Sequence, residues 1–388
     1  MLVRYGKDKN GQPVKKAVVY TKDEHRIPIE KIDSDAIRII ERLKENGHSA
    51  YLVGGAVRDL LVGNTPKDFD IVTDATPSRI RRIFRSARII GRRFRLVHVV
   101  FGPKIFEVST FRSIVEGSVG NDFGTMDEDV MRRDFTLNAL YYDPIQEHVI
   151  DYVGGVRDIR KGVIRPVIPL DRIFVEDPVR MLRAVKYSAT THCAMQWQLR
   201  HRIKKNASLL SPISPSRLTE EIFKIINSGH AFDIVSEALD VDIYMYLQPA
   251  ATDLILSDRE FEKNYLANLK RLDALNTVER EARLGKKLLF LVKDFILSLT
   301  DWQKEIAENS AAGELYEKTW NEVRRFVLPM NPPRVELEYA IRSALREIGV
   351  NIRIPKPPRP ESGEVNAAPK RRRRRRRKPA APKSDASE

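Results

Sequence analysis

Apolar and polar positions change period several times along the chain. In residues 33–46 (DSDAIRIIERLKEN), Ile37, Ile40 and Leu43 fall on one face at helical spacing. Asp33 or Ser34 can cap the start and Gly47 follows the end. Tyr51, Leu52 and Val53 then form an apolar strand that runs into Gly54 and Gly55. A short helical stretch with Arg58 and Asp59 ends near Gly63, and a turn with Pro66 leads to a second strand bearing Asp68 and Asp70. Thr76 and Pro77 start a further helix. Residues 92–102 and 104–112 read as two strands joined through Gly102 and Pro103, and 147–155 as another closed by glycines. Residues 132–144 start helically and end extended. A Gly-, Ser- and Asp-rich segment, 116–127, reads as a mobile loop.

From about residue 156 the period is mostly helical. Asp177 before Pro178, and Ser214 before Pro215, each place a capping residue ahead of a proline at the first helical position. Further helical patterns cover 230–240, 259–274, 283–299, 314–327 and 335–348. The expected fold is therefore α+β. A loose arm (1–27) precedes a mixed-sheet head (28–155), a helical neck (156–229), a helical body (230–351) and a disordered tail (352–388). The tail is too poor in apolar residues to fold alone.

Composition adds a polyanion to this picture. The chain of 388 residues carries a net charge of +15. Residues 370–388 hold ten Lys/Arg against two Asp/Glu, so more than half of the excess sits in the tail. A run from Lys370 through Arg371, Arg372, Arg373, Arg374, Arg375, Arg376 and Arg377 to Lys378 would track phosphates without reading sequence. The bland alternative is a solubilising tail. The single cysteine, Cys193, excludes an intrachain disulfide framework and a multi-cysteine zinc site, and suits a reducing cytoplasm. No secretory signal is visible, and the apolar run 288–292 is cut by Lys293 and Asp294, so no membrane span is expected.

The chemistry concentrates in residues 51–72. Side chains at i and i+2 of a strand share a side, so Asp68 and Asp70 stand together while Phe69 points to a core. Like charges so placed call for a cation between them. On 104–112, Glu107 lies opposite the larger apolar residues and can face the same cleft. Two metals held by a few carboxylates suit nucleotidyl transfer, and Arg58 can neutralise phosphate. Arg93 and Arg95 alternate with Phe94, as in a nucleic-acid contact. His98, between valines, reads as a buried core histidine.

These motifs in order (GGAVRD, KDFDIVTDATP, FEVSTFR, RRDFTLNALYY, DYVGG and EDPVRMLRA) resemble the bacterial poly(A) polymerase and CCA-adding tRNA nucleotidyltransferase family, class II of the polymerase-β-like superfamily. Residues 89–102 and the basic tail resemble the poly(A) polymerase branch more. The resemblance implies template-independent addition of AMP from ATP to RNA 3′ ends, with Mg²⁺ (two ions, Mn²⁺ as a substitute) at Asp68 and Asp70 and Glu107 as the third acidic position. It implies that Gly54, Gly55 and Arg58 line the triphosphate side. Arg133, Asp134 and Asn138 would lie beside the sugar, with Asp134 supporting catalysis or capping the helix that follows it. Asp177, Arg180 and Arg183 would read the base edge. Asp177 also fits a plain cap and Arg180 a solvated face. Implied partners are mRNA, small RNA or tRNA ends and RNA-decay proteins, with no membrane and no DNA, in the cytoplasm. Alternatives are tRNA CCA or terminal-A addition, a non-catalytic RNA-binding protein on the same scaffold, and a nucleotide-sugar or antibiotic nucleotidyltransferase.

Overall fold

Helix Ser34–Glu45 sets the frame for the head. Asp33 accepts from the Asp35 amide at 2.9 Å as its cap, and Ala36, Ile39, Ile40 and Leu43 are fully buried. Gly47, at φ +81°, turns the chain out of the helix and into the sheet. The structure is a computed structural model that describes residues 2–7, 11–91, 96–113, 123–299, 302, 304–305 and 312–350. Arg93, Phe94, Arg95, most of the 116–127 loop and the run 370–378 lie outside the described residues.

Among the described residues, one sheet carries the head. Its strands are β1 (Leu2–Lys7), β2 (Pro13–Tyr20), β3 (Ala50–Val53), β4 (Asp70–Thr73), β5 (Ala87–Ile90), β6 (Leu96–Phe101), β7 (Lys104–Thr110), β8 (Leu140–Asp143) and β9 (His148–Asp151). Their spatial order is β1-β2-β9-β8-β3-β4-β7-β6-β5. β4 and β7 run parallel and the other neighbours antiparallel, so the sheet is mixed.

Successive residues of the central strands enter different cores. Leu52, Ile71 and Tyr142 join Ile39, Ile40, Val97, Val99, Phe106 and Val108 on one face. Val53, Val72 and Tyr141 join Phe111, Val130 and Ile150 on the other. This is the two-residue period of a sheet covered on both sides. Phe69 packs against the first core, which leaves Asp70 on the face of Val72.

Four expectations need correction. The N-terminal arm is not loose. β1 and β2 form a hairpin, and Val18, Val19 and Tyr20 of β2 pair with Asp151, Ile150 and Val149 of β9. An edge strand offers unpaired amides and carbonyls, and the short run AVVY takes them up. The last residues of the 116–127 loop, Met126 and Asp127, already belong to helix Met126–Met131. Thr125 and Glu128 close a capping box at its start. β5 was absent from the sequence reading. His98 is not a core residue: it sits half-exposed across from Glu107 in the β6–β7 register.

Beyond helix Gly155–Arg160 the described residues are mainly helical, with a two-stranded parallel pair, Val163–Ile164 with Ala194–Met195. Residues Met1–Asn351 form one compact unit. Of these helices, Val179–Thr191, Pro215–Ile226 and the end of Arg259–Val278 reach the site. No helix among the described residues is long and apolar enough to cross a membrane.

Candidate active site

A cleft of about 1470 Å³ opens between the head sheet and the helices that follow. Asp68, Asp70 and Glu107 line one part of it. Asp70 is the first residue of β4, opposite Val53, and Asp68 lies just ahead of the strand. β7 runs parallel beside β4 with Ile71 paired to Val108, so Glu107 stands next to Asp70 one step earlier. Solvent reaches Asp70, yet the protein packed around it, then the Glu107 and Asp68 charges, push its carboxyl up to about 6; Arg133 opposes this. Among the described residues, no side chain forms a hydrogen bond or ion pair with Asp68 or Asp70, while His98 Nε2 approaches Glu107 Oε1 at 3.6 Å.

Gly54 makes the turn between β3 and helix Gly55–Leu61. Its φ of +69° with ψ of −126° is closed to other residues without strain. The nearest atom to where a side chain would stand is Arg133 Nη1, at 3.6 Å, and for Gly55 it is Arg58 Nη2, at 3.7 Å. Two guanidiniums therefore face bare backbone, the arrangement that lets an anion come close.

Both arginines are held by a network centred on Asn138. Arg58 donates from Nη1 to Asn138 Oδ1 at 2.7 Å, and from Nε and Nη2 to Asp59 Oδ1 at 2.9 and 2.7 Å. Its guanidinium lies over the Tyr187 ring, 4.8 Å from the centroid. Arg133 donates from Nη1 to the Asn138 carbonyl at 3.3 Å and from Nη2 to Asp129 Oδ2 at 2.8 Å. Tyr141 Oη also donates to Asp129 Oδ2, at 2.7 Å. Burial would push Asp129 up, but Arg133 and Tyr141 more than offset it and hold the carboxyl below its ordinary value. Asp134 accepts from the Phe135 amide at 2.7 Å and from Asn138 Nδ2 at 3.2 Å, and pairs with Arg183 Nη1 at 3.5 Å. It thus fastens the Thr136–Asn138 turn and links it to the helical wall.

Helix Val179–Thr191 supplies that wall. Asp177 accepts from the Val179 amide at 3.1 Å, a capping contact, and also from Arg217 Nη2 at 2.8 and 2.9 Å. Arg180 donates to the Ile173 carbonyl at 3.1 Å and to Glu176 Oε2 at 3.0 Å, and is mostly buried rather than on a solvated face. Nearly two turns beyond Arg180, burial pushes the Lys186 ammonium down to about 8; Glu221 opposes this, and Lys224, Arg183 and Arg58 add to it. The cleft therefore has an acidic side at the sheet and a basic side at the helix.

All the sequence-predicted residues that are described, from Gly54 to Arg183, line this one cleft. The sequence reading missed Asp129, Lys186, Tyr187 and Arg217. Asp129 stands four residues before Arg133, a spacing that could have shown the pair. Lys186 continues the three-residue spacing of Arg180 and Arg183. Nothing local signals Arg217, which meets Asp177 only through the fold.

The cleft fits a hard divalent cation in one specific sense. Among the described residues no three acidic, His or Cys side chains make a complete cage. Two unpaired carboxylates with mutual repulsion suit an ion that takes its other ligands from water and substrate phosphates, as Mg²⁺ does.

Residues 50–165 match the family model described as the Poly A polymerase head domain, and 195–255 the one described as the probable RNA and SrmB-binding site of polymerase A. The poly(A) polymerase I of Salmonella typhi is 38% identical over 310 residues, 75% of this chain and 66% of that protein. The chain thus spans about two thirds of that relative's length. The CCA-adding enzyme of Geobacillus stearothermophilus is 36% identical over 222 residues, 55% of this chain and 54% of that enzyme. Among solved structures, the Bacillus stearothermophilus CCA-adding enzyme in complex with CTP superposes with a TM-score of 0.54 at 28% identity, covering 81% of this chain and 82% of that one. With the head motifs assembled on one cleft and the match running well into the helices, the chain belongs to the bacterial poly(A) polymerase and CCA-adding tRNA nucleotidyltransferase family.

Proposed function

We propose that this chain adds AMP from ATP to RNA 3′ ends without a template. The observation that carries the reading is Asp70, unpaired beside Asp68 and Glu107, at the floor of a cleft whose other side is cationic. Asp68 and Asp70 would hold Mg²⁺, or Mn²⁺ in its place, in a two-ion arrangement. Bound there, the metal would favour the ionised 3′-hydroxyl and offset phosphate charge. Glu107 completes the acidic side of the cleft. Gly54, Gly55 and Arg58 receive the triphosphate. Arg133 is kept in place by Asp129 and Tyr141, and Asn138 ties it to Arg58. The 3′-hydroxyl attacks the α-phosphate and pyrophosphate leaves. Asp134 is a positioning residue, acting through Asn138 and Arg183.

Asp177 and Arg180 present an acceptor and a donor to the base edge, where adenine offers an amine and a ring nitrogen. Arg183 supports the same wall. The match of 195–255 to an RNA- and SrmB-binding model supports RNA as the partner; RNA-decay proteins are further partners this reading expects. Arg93, Arg95 and the run 370–378 are assigned to RNA backbone binding, and the cytoplasm is the location this reading requires.

Addition to tRNA 3′ ends is the second reading, favoured by the superposition on a CCA-adding enzyme. The poly(A) reading is preferred because identity to the poly(A) polymerase extends over more of the chain. The test is primer extension with ATP and Mg²⁺ by the full chain and by Asp70→Ala. Wild-type extension lost in the variant, with RNA binding retained, is expected. Extension that survives the change would overturn the assignment.

A further inference from the structure

A second cationic corner of the cleft takes no part in the network around Asn138. Lys67, in the turn before Asp68, donates to the main-chain carbonyl of Asn227 at 2.8 Å, just past helix Pro215–Ile226. Lys287 of helix Leu284–Leu299 is only 2% exposed. It donates to Asn227 Oδ1 at 2.6 Å and to the Arg280 carbonyl at 3.0 Å. The Arg280 side chain is exposed and lines the cleft together with Lys67 and Asn227.

Among the described residues, the hydrogen-bond acceptors of Lys67 and Lys287 are neutral and none of the three cations forms an ion pair. Burial, and then the neighbouring Lys67, pushes Lys287 below the ordinary lysine value; Glu279 opposes this. A buried cation is normally matched by a carboxylate, because taking a charge out of water is costly. Here neutral groups fix where Lys67 and Lys287 sit; Asp68 and Asp59 act on Lys67, and Glu279 on Lys287, only through space, so among the described residues neither ammonium has a carboxylate bonded to it. An anion with several acceptor oxygens would meet that deficit.

We propose that Lys67 and Arg280, backed by Lys287, bind a backbone phosphodiester of the RNA strand whose 3′ end lies at Asp68 and Asp70. This rests on the nucleotidyltransferase reading. Phosphate could come instead from ATP, but the triphosphate has its own bare-backbone turn at Gly54 and Gly55. The present corner ends on an exposed arginine supplied by the helical region, as a strand leading out of the cleft would require.

The test measures binding of a fluorescein-labelled oligoadenylate to the full chain without ATP, across a salt series. Arg280→Gln and Lys67→Gln are each expected to weaken binding by about three- to tenfold. Each should flatten the slope of log K against log salt by about 0.7, the value for one phosphate contact on a single strand. Arg280→Lys should keep most of the slope. The KM for ATP at saturating RNA should stay within about twofold of wild type in Arg280→Gln, whose exposed position makes loss of fold easy to exclude by thermal unfolding. Unchanged slopes in both glutamine variants would overturn the proposal, as would a raised KM for ATP with RNA affinity intact. The two readings fail separately. If the wild type binds RNA with these slopes but adds no AMP, the catalytic reading falls alone. If it adds AMP and the slopes do not move, this site falls alone.

Discussion

Asp70 and Glu107 stand side by side on parallel strands, and each charge opposes the other. The chain keeps this repulsion although, among the described residues, no side chain bonds to Asp70 and the Arg133 charge offsets it only in part. Removing the repulsion should therefore help the fold and harm the chemistry.

The pH dependence follows from that pair. In the unfolded chain Asp70 titrates near its ordinary 3.8, and in the folded, metal-free protein it is pushed up to about 6. Between those values the native state holds the extra proton. The contribution is fully present below the lower value and lost as pH rises through the upper one. With chelator present, Asp70→Asn should flatten this decline. It should stabilise the protein at pH 7 by on the order of 1 kcal/mol, a figure discounted because solvent screens the carboxylate. Thermal unfolding between pH 4 and about 7 checks this. Parallel curves for the two proteins would contradict it. Added Mg²⁺ should raise the wild-type midpoint and leave the variant unmoved.

Arg217 grips both oxygens of Asp177, so its removal should release the carboxylate proposed above to face the base. Arg217→Ala is expected to reduce the preference for ATP over CTP by about tenfold, equivalent to about 1.4 kcal/mol, by lowering kcat/KM for ATP. A purely structural role would instead lower both nucleotides together. Steady-state kinetics with each nucleotide separates these outcomes.

Gly155 packs against the turn that carries Asn138. A β-carbon there would lie 2.2 Å from the Thr136 carbonyl oxygen and 3.0 Å from Leu140. Main chain cannot give way cheaply, so Gly155→Ala should cost about 1–3 kcal/mol, in the range of other overpacked sites. It should also raise the KM for ATP, because Asn138 holds Arg58. Chemical denaturation and ATP kinetics on the same variant measure both.

The sequence carried the head well because its signals are local. Asp68, Phe69 and Asp70 alternate, the glycines precede a helix, and Thr76 with Pro77 announces the next one. The parallel pairing of β4 and β7 is not written in either strand, yet it is what puts Glu107 beside Asp70. The first twenty residues were misread for the same reason. β2 becomes a strand only because the edge of β9 is free to receive it, about 130 residues away. His98 showed the limit of reading a strand alone: valines on both sides suggested burial, while its partner across the ladder is an exposed glutamate. Asp177 illustrates one residue with two jobs, since capping the Val179 amide leaves room for Arg217.

The most direct test of the central claim is nucleotide and primer choice by the purified full chain. ATP alone, CTP alone and both together are offered with Mg²⁺ to a tRNA lacking its 3′ end and to an unstructured RNA. Long extension of both RNAs with ATP alone and little incorporation of CTP are expected. Efficient CTP incorporation, confined to the tRNA and stopping after a terminal A, would contradict it.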